Sequence, residues 1–202
     1  MTHHFNPALS GITCFHCGAF HRVGVLHAVC TACGSPLRVD MALGLHLTPE
    51  AVVDRSVSSL WRYAAVLPVD CAVAVSLGEG WTPLIEVLPG TWVKDEARNP
   101  TGSFKDRGMT MAVSAALALG VKRLMAPSAG NAAAALAAYG AAAGLPVLVA
   151  MPADSPRAFV DECRSYGAEV ELVAGTIGDA GRRLAKHRRE GDFDLATLRE
   201  PY

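Results

Sequence analysis

Short apolar runs alternate with longer stretches of helical periodicity from residue 81 onward. The pattern predicts strands over 91–94, 123–126, 146–151 and 169–173, and helices over 103–119, 131–143, 155–166 and 176–189. Strands that alternate with helices in this way are typical of βαβ units around a parallel sheet. The sequence therefore predicts an α/β fold for this part of the chain.

The most apolar stretch, residues 132–150, is predicted to form a helix followed by a buried strand rather than a membrane span. It consists mostly of alanine and is interrupted by Gly140, Gly144 and Pro146. These residues break a helix before it reaches the length that a bilayer requires.

The first 80 residues divide into two further regions. Residues 1–48 show no regular hydrophobic periodicity and contain two cysteine pairs, which indicates a small prefix domain. Residues 49–80 begin with a helix signal, in which Thr48 is expected to cap the helix and Pro49 to occupy its first turn. This segment ends in a glycine-rich loop, so we expect a helical lead-in to the region 81–202.

Composition and charge narrow the classes of partner. The chain has 202 residues, of which 51% are hydrophobic and 18% charged, and its net charge is −1. Such a chain can bury a core and has no general attraction to nucleic acid or anionic lipid. The N-terminal region lacks the basic and apolar segments of an export signal, so we expect a cytoplasmic protein that binds neither nucleic acid nor membranes.

The two cysteine pairs predict a zinc ribbon. CFHCG at 14–18 and CTACG at 30–34 each place two thiols two residues apart, with a glycine that allows a tight turn. Four thiolates suit tetrahedral Zn²⁺, and such a short segment needs a metal to fold, so a structural Zn²⁺ is expected on Cys14, Cys17, Cys30 and Cys33. A redox pair or inert thiols are the alternative. The nearby His16, His21 and His27 are expected to be bystanders.

The segment NPTGSFKDRG at 99–108 places Lys105 in the first turn of a predicted helix. Pro100 and Gly102 indicate a tight turn, and Ser103 with Asp106 three residues later suggests a capping box. The positive end of a helix disfavours an ammonium group, and a neutral amine is what Schiff-base chemistry needs. A solvated lysine on an ordinary capped helix is the alternative.

The segment PSAGNAAAA at 127–135 joins a predicted strand to an alanine-rich helix. A loop that opens into a helix directs unpaired backbone N–H groups at an anion. A simpler role for Ser128 or Asn131 would be to cap that helix.

Together with LGEGWTPL at 77–84, these two segments resemble the threonine synthase kind of fold-type II enzymes, which depend on pyridoxal 5'-phosphate (PLP). The resemblance extends from Trp61 to the final residues Leu198–Tyr202, and a zinc-ribbon prefix also occurs in some threonine-synthase-like proteins. It implies a parallel-sheet catalytic domain that includes most of a small mobile subdomain. It further implies that Lys105 holds PLP and transfers protons, that Asn131 bonds the cofactor ring hydroxyl, and that the backbone of Ser128, Ala129 and Gly130 binds the substrate carboxylate.

The implied reaction converts O-phospho-L-homoserine and water into L-threonine and phosphate, in an enzyme that can form homo-oligomers. Two alternatives within the class are a threonine or diaminopropionate ammonia-lyase and a cysteate-synthase-like enzyme. A third, from another class, is a non-catalytic zinc-binding fragment. The family also has a glycine-rich loop for the cofactor phosphate, and the chain contains no Gly-Gly-Gly stretch. We therefore expect a truncated chain whose cofactor site is incomplete and partly open to water.

Overall fold

The computed structural model describes residues 4–44, 47–196 and 199–202. Residues 1–3, the start of the N-terminal region that lacks the features of an export signal, lie outside these ranges. So does Leu198, the first of the final residues to which the family resemblance extends.

The cysteine-bearing prefix forms a three-stranded antiparallel sheet. Its strands are β1 (Leu9–Cys14), β2 (Phe20–His21) and β3 (Leu37–Met41), in the order β2-β1-β3. A small apolar cluster below the sheet consists of Ile12, Cys14, Cys30 and Leu37. The prefix therefore has a minimal core, half of which is contributed by the cysteines themselves.

The connecting segment, residues 49–80, contains less α-helix than the helix signal at Thr48 and Pro49 predicts. Helix α1 covers only Pro49–Val52, with Pro49 in the first turn as predicted. Thr48 lies at the N-cap position, but its side chain makes no capping hydrogen bond, so the expected cap is wrong. Two three-ten helices follow, Leu60–Val66 and Cys71–Val73.

A two-stranded antiparallel hairpin comes next, with β4 (Leu84–Leu88) and β5 (Thr91–Lys94). The sequence predicted β5 with these bounds, whereas β4 was not predicted. Every residue of both strands is exposed.

A four-stranded parallel sheet confirms the predicted α/β architecture. Its strands β6 (Arg123–Pro127), β7 (Val147–Pro152), β8 (Glu169–Val173) and β9 (Asp192–Asp194) are ordered β8-β7-β6-β9. The helices are α2 (Lys105–Ala118), α3 (Asn131–Ala142), α4 (Arg157–Ser165) and α5 (Ile177–Lys186). The apolar stretch 132–150 is thus a helix followed by a strand, as predicted. Strand β9 was not predicted.

Alternate residues of the central strands bury opposite faces of the sheet, as strand geometry requires. Leu124 and Val149 pack with α2, α3 and α4, whereas Met125 and Leu148 pack against α5. The sheet is therefore covered by helices on both faces. Among the residues that the structure describes, we find no helix with the length and hydropathy of a membrane span.

One apolar cluster joins the prefix to helix α2. It combines Phe5 and Leu9 with Trp61 and Val69 of the connecting segment and with Met111 of α2. Two buried hydrogen bonds support it: the Trp61 Nε1–H donates to Thr110 Oγ1 (2.9 Å), which donates in turn to the Val75 carbonyl (2.7 Å). The prefix is thus packed against the helix that begins at Lys105.

Candidate functional site

Lys105 is the first residue of helix α2, so the predicted position in the first turn is confirmed. Its side chain is half-buried, and its Nζ lies 4.6 Å from the centre of the Phe104 ring. The hydroxyl of Ser103 accepts a hydrogen bond from the Lys105 N–H at 3.3 Å. This hydrogen bond fixes the backbone of Lys105 at the N-terminal end of α2.

The predicted capping box between Ser103 and Asp106 is wrong. The fully buried Asp106 carboxylate instead accepts hydrogen bonds from the Thr101 backbone N–H (2.7 Å) and the Thr101 hydroxyl. Burial raises the pKa of Asp106, and the two bonds from Thr101 oppose that rise. The carboxylate fixes the turn that precedes Lys105 rather than the helix that follows it.

Lys105 and Ser128 line the same cavity of about 320 Å³. This volume is near the lower end of the range for small-molecule sites, about 300–1,000 Å³. The wall is formed by the start of α2, the end of β6, the start of α3 and the last described residues of the chain. Glu200 belongs to this wall, and burial raises its pKa to about 7. Sequence reasoning gave no role to Glu200.

The segment 128–131 connects β6 to α3. The Ser128 N–H donates to the Ala150 carbonyl (3.1 Å) and so continues the sheet, while Gly130 occupies the N-cap position without a side-chain capping bond. The alternative in which Ser128 or Asn131 caps α3 is therefore not observed. Asn131 is exposed, and of the described residues Ala129, Gly130 and Asn131 do not line the cavity. The first N–H groups of α3 point out of the helix beside Ser128.

A buried carboxylate that the sequence did not reveal accepts a hydrogen bond from the second half of helix α3. Glu79 is completely buried and accepts hydrogen bonds from the Tyr139 hydroxyl (2.7 Å), the Leu77 N–H (3.0 Å) and the Ser76 hydroxyl. Burial, followed by the bond to Glu79, raises the pKa of Tyr139, which keeps its hydroxyl a donor. Glu79 thus ties the loop before the hairpin to helix α3.

Replacing Tyr139 with phenylalanine is expected to destabilise the chain by about 1.5–3 kcal/mol, because the buried Glu79 carboxylate loses a hydrogen bond. Urea unfolding followed by circular dichroism measures this difference. The matched control is Tyr166→Phe, which removes a hydroxyl from a tyrosine at the surface and should change stability by less than about 0.5 kcal/mol. Equal effects of the two substitutions would contradict the assigned role.

An ion pair holds the hairpin against the start of α2. The Arg107 guanidinium donates to both carboxylate oxygens of Glu96 (2.7 and 2.8 Å) and to the Thr82 hydroxyl (3.1 Å). Thr82 donates to Glu96 (2.6 Å), and so does the Asn99 side chain (2.9 Å). The hydrogen bonds from Arg107 are the main reason that the pKa of Glu96 falls to about 2. Thr82 and Arg107 belong to two of the three segments that carry the family resemblance.

This ion pair predicts a specific pH dependence. Because the folded-state pKa of Glu96 is lowered from an ordinary value of about 4.3, its contribution is complete above that pH and disappears as the pH falls towards 2. The stability difference between the wild type and Glu96→Gln, measured by urea unfolding, should therefore shrink between pH 5 and pH 3. Asp95→Asn, which removes the partner of the exposed Arg98, is the control and should change little. A constant difference across this range would be the contrary result.

The four predicted metal ligands lie together. The Sγ atoms of Cys14, Cys17, Cys30 and Cys33 lie within 4.8 Å of one another, and the closest pairs are 3.5–3.6 Å apart. A tetrahedral Zn²⁺ with Zn–S bonds of about 2.3 Å requires sulfur separations of about 3.8 Å, so the cluster fits this ion. Backbone N–H groups of His16 and Cys17 point at the Cys14 sulfur. Gly18 and Gly34 both have positive φ angles, which is why glycine follows each pair.

Residues 75–200 match the family model for pyridoxal-phosphate dependent enzymes. The chain belongs to this family. The matched region contains the hairpin, the parallel sheet and the cavity that Lys105 lines. The suspected resemblance to PLP enzymes is therefore confirmed at the level of the family.

Within this family, the chain is similar to proteins named threonine synthases. The chain is 36% identical to a threonine synthase of Methanosarcina acetivorans, over 84% of this chain and 44% of the relative. It is 43% identical to a threonine synthase of Halalkalibacterium halodurans, over 71% of this chain and 45% of the relative. The chain thus spans less than half the length of these relatives.

Solved structures of the same kind share the fold. A hydrogen sulfide-producing enzyme from Fusobacterium nucleatum is 27% identical, with a TM-score of 0.52 over 57% of this chain and 42% of that chain. Cysteine synthase from Entamoeba histolytica is 28% identical, with a TM-score of 0.51 over 57% of this chain and 40% of that chain. Both superpose on part of the chain, as a shared α/β catalytic core requires.

Proposed function

We propose that this chain provides the cofactor lysine and part of the substrate site of a threonine synthase. The reaction is the conversion of O-phospho-L-homoserine and water into L-threonine and phosphate. The observation that carries the proposal is the shared cavity of Lys105 and Ser128, in a chain similar to proteins named threonine synthases. The proposal concerns the whole enzyme, and this chain spans 44% of the length of the Methanosarcina acetivorans relative.

In this proposal Lys105 binds the cofactor through its amine and afterwards accepts and returns protons of the substrate. When bound, PLP withdraws electrons from the amino-acid substrate and so acidifies its protons. The backbone of Ser128, Ala129 and Gly130 binds the substrate carboxylate, where the start of α3 offers unpaired N–H groups. Asn131 binds the ring hydroxyl of the cofactor. The cavity that Lys105 and Ser128 line supports the roles of these two residues, and the absence of a side-chain cap on α3 supports that of the backbone at its start. The role of Asn131, which is exposed and outside the cavity wall, rests on the family resemblance.

We also propose that Cys14, Cys17, Cys30 and Cys33 bind one structural Zn²⁺. The separations of the four sulfur atoms support a tetrahedral site. Each cysteine in the described part of the chain is a free thiol, which fits a reducing compartment, and we propose a cytoplasmic location on this basis. The volume of the Lys105 cavity supports a small-molecule substrate. Assembly of the complete enzyme into homo-oligomers is part of the same proposal.

Product analysis distinguishes threonine synthase from the ammonia-lyase and cysteate-synthase alternatives. The chain is combined with the remaining segment of the Methanosarcina acetivorans relative and supplied with PLP. Separate assays offer O-phospho-L-homoserine, L-threonine, diaminopropionate, or phosphoserine together with sulfite. We expect phosphate and L-threonine in equal amounts from the first substrate only. Formation of a 2-oxo acid from L-threonine or diaminopropionate at a higher rate would favour an ammonia-lyase. Formation of a sulfonate from phosphoserine and sulfite would favour the cysteate-synthase-like reaction.

A further inference from the structure

A second cavity, of about 390 Å³, lies on the opposite face of the parallel sheet from the Lys105 cavity, between α5 and the ends of β6 and β9. Met125 of β6 faces this second cavity, whereas the neighbouring Ala126 faces the Lys105 cavity. Pro127 and Ala196 belong to both walls. In the strand order β8-β7-β6-β9 the direction of winding reverses between β6 and β9. The carboxyl ends of strands at such a reversal are where α/β sheets bind ligands.

Most of the wall of the second cavity is apolar. Its apolar members are Met125, Pro127, Ile177, Leu184, Ala185 and Ala196. Gly181, in the middle of α5, also lines the cavity, and a Cβ built on it would lie 3.7 Å from the Pro127 ring, which is an ordinary contact. Packing therefore does not require glycine at this position, and glycine weakens a helix relative to alanine. The missing side chain of Gly181 leaves space inside the cavity.

Three arginines and one aspartate complete the wall of the second cavity. Arg182 donates to Asp179 behind the wall (2.5 Å), and Arg199 donates to Asp194 within it (3.4 Å). The third arginine, Arg188, is exposed and forms no ion pair with any residue that the structure describes. The wall therefore has a surplus of positive charge, and the guanidinium of Arg188 is available to an anion.

We propose that the second cavity binds a small organic anion, a phosphate monoester or a carboxylate whose apolar body contacts the apolar wall. The cavity has the volume of a small-molecule site, about 300–1,000 Å³. A guanidinium binds phosphate and carboxylate groups through paired hydrogen bonds. An inorganic anion would leave the apolar wall in water, and a neutral molecule would leave Arg188 without a partner. The proposal does not depend on which reaction the Lys105 cavity supports.

Methionine methyl resonances distinguish the two cavities. Met125 lies in the wall of the second cavity and Met109 in the wall of the Lys105 cavity. The zinc-loaded chain, with isotope-labelled methionine methyl groups assigned through Met125→Leu and Met109→Leu, is titrated with phenyl phosphate and followed by NMR. We expect a saturable shift of the Met125 resonance that exceeds any shift of Met109. No shift of Met125 up to about 10 mM phenyl phosphate, or a shift of Met109 alone, would overturn the proposal.

Related compounds separate the charged and apolar parts of the ligand. Phenylacetate replaces the phosphate with a carboxylate, benzyl alcohol removes the charge, and inorganic phosphate removes the apolar body. We expect phenyl phosphate or phenylacetate to bind at least about tenfold more tightly than both benzyl alcohol and inorganic phosphate. The tighter of the two anions identifies the head group. Equal binding of benzyl alcohol would indicate an ordinary apolar cavity, and equal binding of inorganic phosphate an ordinary cationic surface. Either result would overturn the proposal.

Matched substitutions locate the bound anion. Arg188→Gln removes the charge and is expected to weaken phenyl phosphate binding by at least about tenfold. The control is Arg164→Gln, which changes an exposed arginine in the last turn of α4, outside both cavities, and should bind like the wild type. Gly181→Leu fills the cavity and should abolish the Met125 shift, while thermal unfolding verifies that each variant remains folded. Binding that survives Arg188→Gln but is lost in Lys105→Met would place the compound in the Lys105 cavity and refute the second site.

Discussion

Limited treatment with PLP followed by borohydride reduction is expected to label Lys105 in preference to Lys94, Lys122 and Lys186, the other lysines of the chain. Lys105 is the lysine whose side chain lines the cavity, beside the start of α3 and its unpaired backbone N–H groups. Lys122 and Lys186 are exposed, and Lys94 is bonded to the Thr82 carbonyl. Peptide mass mapping should give at least about ten times more label at Lys105.

Lys105→Arg is expected to remove this preferential labelling and, in the assembled enzyme, to lower phosphate release by at least about 10³-fold. An arginine keeps the positive charge but cannot form the covalent link or transfer protons at neutral pH. Lys122→Arg is the control and should retain both properties. Equal labelling of all four lysines, or a Lys105→Arg enzyme with ordinary turnover, would refute the assignment of Lys105.

Removal of the metal is expected to have the second largest effect. A ligand present at 1,000 times its dissociation constant stabilises a protein by about 4 kcal/mol, which for a chain of this length corresponds to about 8–16 °C in melting temperature. A chelator should therefore lower the melting temperature by about this amount and release one Zn²⁺ per chain, as measured by calorimetry and metal analysis. Cys30→Ser should abolish stoichiometric zinc binding, because its sulfur is one of the four in the cluster.

Cys71→Ser is the matched control for the metal site. Cys71 is a free thiol in the three-ten helix Cys71–Val73 and lies outside the four-sulfur cluster. It should bind zinc and unfold like the wild type. A Cys30→Ser variant that retains one Zn²⁺ with unchanged melting temperature would show that the cluster does not hold the ion.

Hydrophobic periodicity was sufficient to predict three of the four strands of the parallel sheet and its helices. Strand β8 was predicted with its observed bounds, and the predicted limits of β6, β7 and α3 differ from those observed by one residue. These elements are long, apolar and separated by clear turns, so local pattern and tertiary structure agree. The two cysteine pairs were equally informative, because metal-ligand spacing is a local property of the sequence.

Strands β4 and β9 could not be predicted from the same pattern. Strand β9 has three residues, two of them aspartates, and becomes a strand only because it pairs with β6. Strand β4 lies directly after the glycine-rich loop and lacks the buried face on which periodicity depends. Strand β9 therefore depends on a partner distant in the sequence, whereas β4 pairs with the adjacent β5 but has no buried face for a local pattern to reveal.

The polar residues around the site were also beyond local reasoning. Ser103 and Asp106 have the spacing of a capping box, yet the Asp106 carboxylate bonds Thr101 because the turn brings that residue closer. Glu79 reads as a loop residue, and its burial depends on Tyr139, which lies 60 positions later in the chain. Sequence spacing predicts which residues are adjacent on one element and does not predict contacts between elements.

The cluster that combines Phe5 and Leu9 with Trp61, Val69 and Met111 packs the cysteine-bearing prefix directly against helix α2. Unfolding of the prefix would expose one side of α2 to water, so we expect the two parts to unfold together. Scanning calorimetry of the zinc-loaded chain should therefore show a single heat-absorption peak whose calorimetric and van't Hoff enthalpies agree. Metal supply would then control the lifetime of the whole folded chain rather than that of an appendage.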